Sequence, residues 1–227
     1  MMKFNPLLDK FPVEYNGVRM NTDFRVGILL SILFNSAKFT DDEKKVQALT
    51  LLYGDDLDSL GVDVMTLWDG LVWFMNVGYN KCTNSVANNK SNSENEEDEN
   101  DLVDSQGNKL IFDMDSQSSN DDVLDFEFDA SRIYTAFLRT YGVDLTEAEM
   151  HFFKFMFMLS DLESDCSHSR VVEIRQTNVR DMDKKQRKAY LHLKKIYAIP
   201  VEIDEKTKEE LAVMGISEET LEHFMQY

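Results

Sequence analysis

The sequence predicts a mainly α-helical protein with two helical subdomains, a short N-terminal β-hairpin, and a disordered acidic linker between the halves. Three observations carry this prediction. Apolar residues recur at helical spacing through most of the chain, and three prolines with nine glycines in 227 residues are too few turn formers for an all-β sandwich. An Asn-Gly pair with strand-like flanks stands near the N-terminus. More than half of the net charge, 24 − 42 = −18, falls in one stretch of 44 residues.

The elements follow in order. Val13-Glu14-Tyr15 and Val18-Arg19-Met20 flank Asn16-Gly17, which supplies the two positive-φ residues of a type I′ hairpin turn. Thr22 or Asp23 caps a helix running to about Asn35, apolar on most sides. Thr40-Asp-Asp-Glu43 is a capping box, and the helix behind it places Val46, Leu49, Thr50 and Tyr53 on one face before Gly54 ends it. A third helix over 62–79 carries Val64, Leu67, Trp68, Leu71, Val72 and Met75 as an amphipathic stripe. Residues 1–81 thus form the N-terminal subdomain.

Residues 82–125 carry 2 basic and 12 acidic side chains, net −10, and only about a quarter of them are apolar. Such a segment buries too little surface to offset the entropy of ordering, which predicts a flexible, self-repelling linker. Within it, Lys109-Leu-Ile-Phe112 is an apolar island that could make a strand or a docking motif.

The C-terminal subdomain, 126–200, opens with a helix starting at Asp129, with Ile133, Ala136, Phe137 and Tyr141 on one face and Gly142 as its stop. Thr146-Glu-Ala-Glu149 reads as a second capping box opening Met150-His-Phe-Phe-Lys-Phe-Met-Phe-Met-Leu159, apolar nearly all round. Residues 163–176 form a weakly patterned helix. Asp183 to Ala198 is a basic helix with Met182, Ala189, Leu193 and Ile196 facing inward, ended by Pro200. An extension, 201–227, holds two short helices over 204–213 and 217–226, joined by Gly215 with Ser217 as N-cap.

Composition excludes several classes. Apolar residues at 43% and aromatics at 11% exclude disorder of the whole chain. Cys82 and Cys166 are too few for a disulfide framework or a cysteine-built zinc site, and fit a reducing cytosol. The N-terminus shows no signal-peptide apolar region, and the longest uncharged stretch, Val26 to Ala37, is 12 residues against the roughly 20 that span a bilayer.

Chemistry is sparse. Neither glycine-rich phosphate motif occurs, and no two of His151, His168, His192 and His223 stand four residues apart. Cys166-Ser-His168 offers two metal ligands without a second pair, and reads as a loop or surface pair. Tyr53-Gly-Asp-Asp56 resembles a polymerase metal motif, but it follows a helix, with Gly54 as its cap. Asp113-Met-Asp115 begins like a calcium loop yet has Ser118 and Leu124 where glycine and glutamate belong. No nucleophile, base and orienting group assemble, so the expectation is a protein without catalysis, cofactor or metal.

Two surfaces stand out instead. Phe152, Phe153, Phe155, Met156, Phe157 and Met158 make a helix that must be central to a core or meet a partner or second copy. Residues 170–195 hold 9 basic and 3 acidic side chains, net +6, with Arg180, Lys184, Lys185, Arg187, Lys188, Lys194 and Lys195 forming a basic patch. That patch could be a solvated face or fold against the chain's own acidic linker. It could also meet an acidic partner or bind nucleic acid, though thin aromatic interleaving and the overall charge argue against nucleic acid.

Several motifs in this order resemble the bacteriophage gene-product-fifteen family: Asn21-Thr-Asp-Phe-Arg25, Leu71-Val-Trp-Phe74, Asp125-Phe-Glu-Phe-Asp-Ala130, Tyr141-Gly-Val-Asp-Leu-Thr146, Lys184-Lys-Gln-Arg-Lys-Ala-Tyr190 and Lys194-Lys-Ile-Tyr-Ala-Ile-Pro200. The resemblance covers roughly 13–80 and 125–200. Many relatives carry two tryptophans where this chain has Phe152-Phe153. The resemblance implies long-tailed phages or prophages of Gram-positive bacteria, and a gene position held by tail assembly chaperones. It therefore implies a cytoplasmic, non-catalytic factor that holds the tape-measure protein while the tail tube polymerises, alone or beside a second tail chaperone, and is absent from the mature virion. A structural tail or connector component, and a nucleic-acid-binding regulator using the helix over 180–195, are the competing expectations.

Overall fold

The computed structural model describes residues 5–83, 123–180 and 182–200. Nearly all of the acidic linker, the Lys109–Phe112 island, the Asp113 loop and the two helices expected beyond 200 lie outside the described residues. The described chain is mainly α-helical, with one two-stranded antiparallel hairpin.

The hairpin joins β1, Glu14–Tyr15, to β2, Val18–Arg19, pairing Glu14 with Arg19 and Tyr15 with Val18. Asn16 and Gly17 both take positive φ, 48° and 81°, as a two-residue turn of the primed type requires. Among the described residues seven α-helices follow: α1, Phe24–Asn35; α2, Asp41–Tyr53; α3, Val64–Thr83; α4, Ala130–Tyr141; α5, Phe152–Ser160; α6, Ser167–Gln176; and α7, Lys184–Ile196. A 3₁₀ turn, Asp58–Leu60, precedes α3.

These elements divide into two compact units. Among the described residues, unit 1 comprises 5–35, 41–83 and 147–161, and unit 2 comprises 36–40, 123–146 and 162–200. The boundary differs from the one expected at the acidic linker. Helix α5, expected in the C-terminal subdomain, belongs with α1 and α3. The physical reason is its composition: a nine-residue helix apolar on nearly every side needs neighbours on several sides, and unit 1 supplies them.

Unit 1 is built around that helix. Leu30, Leu52, Leu67, Leu71, Phe74, Phe152, Phe153 and Phe155 are all fully or almost fully buried. Two backbone bonds fasten the entry of α5 to the entry of α1: Phe152 N–H donates to Thr22 O at 2.8 Å, and Phe24 N–H donates to Met150 O at 3.0 Å. Gly27 makes room for the close packing, because a Cβ there would overlap the Phe152 ring. Gly70 likewise leaves space for the Tyr53 hydroxyl, which donates to Leu67 O at 3.0 Å. Gly54, at φ +96°, stops α2 by donating its amide to Thr50 O.

Some buried faces depart from the periodic expectation. In α2 the buried residues are Ala48, Leu49 and Leu52, whereas Val46 is 61% exposed. In α3, Leu67, Trp68, Leu71, Val72 and Met75 are buried as the stripe predicts, but Val64 in the first turn is 62% exposed. Periodicity marks a face that can be buried, and in the structure neither Val46 nor Val64 on those faces is covered.

Unit 2 contains α4, α6 and α7. Ile133, Ala136 and Phe137 of α4 are buried, and Gly142 (φ +64°) ends the helix with its amide on Leu138 O. Asp183 caps α7 through Oδ1, which accepts from Lys185 N at 2.8 Å and Gln186 N at 3.0 Å.

Candidate partner-binding surfaces

The first candidate surface was the α5 aromatic run, and its position follows from how the helix starts. The expected capping box at Thr146–Glu149 does not form. Asp144 Oδ1 accepts from both the Thr146 amide and hydroxyl, holding the segment in a turn, and the helix begins six residues beyond Thr146. The N-cap is His151 instead: its Nδ1 accepts from Phe153 N at 3.0 Å. An accepting Nδ1 leaves the proton on Nε2, which donates to Pro12 O at 2.8 Å. Burial lowers the His151 pKa, so the ring is neutral at physiological pH and both nitrogens are engaged.

With that start, Phe152, Phe153, Phe155 and Met156 point into the interior of unit 1, while Phe157 and Met158 are half-buried. Phe24 and Phe155 stack at 5.1 Å between centroids, Phe74 lies 5.2 Å from Phe152 and 5.4 Å from Phe153, and Trp73 meets Phe153 edge to face. Four of the six residues proposed for partner contact are therefore core in this structure, the other use their pattern allows. Beside them a cleft of about 1010 Å³ is lined by Phe11, Met20, Thr22, Tyr53, Met150 and His151, among others. Both ring nitrogens of His151 are already committed, so the imidazole brings no free base to that cleft.

Unit 2 has a different interior. Asp129, at the N-cap position of α4, makes no side-chain cap bond. Its carboxylate is fully buried and accepts from Arg175 through Nη1 at 2.5 Å and Nη2 at 3.0 Å, and from Arg132 Nη1 at 2.8 Å. Arg175 uses its remaining donors on backbone carbonyls: Nε on Tyr197 O at 2.8 Å and Nη1 on Val123 O at 2.9 Å. Burial alone would raise the Asp129 carboxyl, but the Arg175 hydrogen bond and charge hold it below its ordinary value. One guanidinium thus ties together the residue preceding α4's approach, the start of α4, helix α6 and the residue following α7.

The Cys166–His168 pair is buried, not a loop or surface pair. Cys166 caps α6, its Sγ accepting from Ser169 N at 3.4 Å, and His168 Nδ1 is buried without a hydrogen-bond partner. Burial lowers the His168 pKa, Asp129 opposes that, and the two arginines add to it. Among the described residues no three His, Cys, Asp or Glu gather closely enough to hold a metal ion, and no helix is long and apolar enough to cross a membrane.

The basic patch divides. Arg180, Lys184, Lys185, Arg187, Lys188 and Lys195 are exposed. Lys194 is half-buried and donates to Arg175 O at 2.6 Å, so it serves the fold. The inward face of α7 also shifts. Leu193 is half-buried as expected, but Ala189 is exposed and Ile196 is 54% exposed; Tyr190, Lys194 and Tyr197 line the inner side instead. No α7 residue is fully buried. Lys184, Lys188, Leu191 and Lys195 recur at i, i+4, i+7 and i+11, one continuous outward stripe on a 3.6-residue helix.

Sequence reasoning missed the Asp129–Arg175 pair. Arg175 looked like one more charge in a basic stretch, and Asp129 like an ordinary cap. A signal was present: Arg175 sits among Val171, Val172 and Ile174 in a helix with no other reason to bury a face.

The folds and surfaces together define a small, mainly helical protein with one aromatic core, one ionic core and an exposed basic helix. The family model described as Bacteriophage Gp15 protein matches residues 7–199, and the chain belongs to that family. No curated protein and no solved structure matches it.

Proposed function

We propose that this chain is a non-catalytic tail assembly chaperone, binding the tape-measure protein in the host cytoplasm while a long tail assembles. The observation that supports the reading is the match to a bacteriophage family over 7–199, nearly the whole described chain. Its surface agrees with that role. The outward stripe of α7 sets lysines beside Leu191 and Ile196, which are 48% and 54% exposed. A face mixing cations with apolar side chains suits a long helical client that offers acidic and apolar residues. The net charge of −18 keeps a complex with an aggregation-prone client in solution.

Co-expression with a tape-measure fragment is the test. The fragment's soluble yield should rise, and the two chains should co-purify. Unchanged solubility with an empty pull-down would sink the reading. Stoichiometric copies of the chain in purified virions would replace it with a structural tail component.

A further inference from the structure

We infer that the outward stripe of α7 binds the acidic turn between α2 and α3 on a second copy of this chain. The two surfaces carry opposite charge. Residues 184–196 hold six basic side chains and no acidic one, and all except Lys194 are exposed. Residues 54–65 hold Asp55, Asp56, Asp58 and Asp63, all exposed, and no basic residue. Other surface charges pair locally: Arg25 with Asp23, Lys45 with Asp42, and Arg139 with Asp165. Among the described residues no ion pair holds Lys184, Lys185, Arg187 or Lys188, nor Asp55, Asp58 or Asp63. Each surface also has an apolar edge. Leu191 and Ile196 on α7, and Val64 and Met65 at the start of α3, are between 46% and 62% exposed. Opposite charge fixes which faces meet, and the apolar edges gain by leaving water.

Both surfaces are formed before any contact. In the turn, Ser59 N–H donates to Asp56 Oδ1 at 3.3 Å, and Ser59 Oγ donates to Asp56 O at 2.9 Å. Gly61 takes φ +63° with its amide on Asp58 O. Helices α2 and α3 anchor the two ends of the turn in the core of unit 1. Asp183 caps α7. Little ordering entropy is therefore lost on contact. Stacking α7 on α7 would set lysine against lysine, so the contact joins unlike surfaces. Two copies can then pair reciprocally or add on one after another. Thirteen helical residues make a stripe about 20 Å long, too small for an obligate interface, so the contact is weak, reversible and salt-dependent. The inference goes beyond the proposed function and does not rest on it. A client that takes the α7 stripe competes with the second copy for it.

Sedimentation velocity of the full chain tests it without any client. In low salt the average sedimentation coefficient should rise with protein concentration. In about 1 M sodium chloride, where the Debye length shrinks to about 3 Å, it should stay at the monomer value. Two charge-reversed variants identify the surfaces: Lys184→Glu with Lys188→Glu, and Asp55→Lys with Asp58→Lys. Each alone should remain monomeric, with an unchanged circular dichroism spectrum. Mixed in equal amounts they should associate again, because each reversed surface meets its complement on the other protein. Loss of fold in either variant would not be rescued by mixing. A parent that stays monomeric in low salt up to its solubility limit would overturn the inference. So would association that survives in either variant alone, or a mixture that stays monomeric.

Discussion

At the centre of unit 1, Phe152, Phe153 and Phe155 pack on Phe24, Trp73 and Phe74; at the centre of unit 2, Asp129 faces Arg175 and Arg132. The first interior is sensitive to volume, because close-packed rings leave no slack for a lost or added atom. The second is sensitive to pairing, because a buried charge without its partner keeps its full desolvation cost. One short chain therefore carries two cores that should fail in different ways.

The largest effects should come from breaking each core by its own weakness. Arg175→Met removes Asp129's bidentate partner and should cost unit 2 about 3–5 kcal/mol. Adding Asp129→Leu should recover part of that loss, since an apolar pair can replace an ionic one. Urea unfolding of the single and double variants measures both, and an additive double loss would break the contrast. In unit 1, Phe152→Ala should cost about 3–5 kcal/mol, with no comparable rescue from a change of charge.

A smaller effect sharpens the volume side. Gly27→Ala places a Cβ against the Phe152 ring and should cost about 1–3 kcal/mol by overpacking. Combined with Phe152→Leu, which removes part of that ring, it should cost less than the sum of the two. A Gly27→Ala protein as stable as the parent would show that the ring yields freely.

The smallest effects are those of pH, where the units share a histidine window and unit 2 adds an acid limb of its own. His151 in unit 1 and His168 in unit 2 both sit below the ordinary histidine value of 6.5, chiefly through burial. Their unfolded forms take up protons first, so stability complete above about 6.5 declines as pH falls below it. For His151 the structural event is definite. A proton on Nδ1 removes the acceptor for Phe153 N and uncaps α5, worth about 0.5–2 kcal/mol. Asp129 lies below its ordinary 3.8, so its contribution is present above that value and is lost only as pH falls below it. His151→Asn, which keeps a capping side chain without a titrating ring, should flatten the decline near pH 6 in unit 1 and leave the acid limb below 3.8 in place. Equal decline in the variant would remove His151 from the account.

How much was legible in the sequence depends on the range of the interaction concerned. The hairpin at Asn16-Gly17, the stops at Gly54 and Gly142, and the cap at Asp183 were readable because each rests on groups within a few residues. The failures have two causes: a local competitor for a capping group, and a neighbour absent from a periodic face. Thr146 carried a capping-box pattern, but Asp144, two residues away, took its hydroxyl. Val46 and Ala189 had the right periodicity, but no neighbour arrived to cover them. The candidate surfaces split the same way. The basic face of α7 was readable from composition, whereas the aromatic run on α5 could be core or surface until its neighbours were known.

The sequence by itself determined the stops of α2 and α4 and the cap of α7, that the protein is mainly α-helical, and where its charge is concentrated, because these depend on local chemistry. Only the tertiary structure decided that α5 joins the N-terminal helices, and that Asp129 spends its carboxylate on Arg175 rather than on a cap. It also decided that Lys194 serves the fold while Lys184 and Lys188 face outward. Each of those outcomes is a competition between partners far apart in the chain. Its winner is set by burial and geometry that no window of neighbouring residues contains.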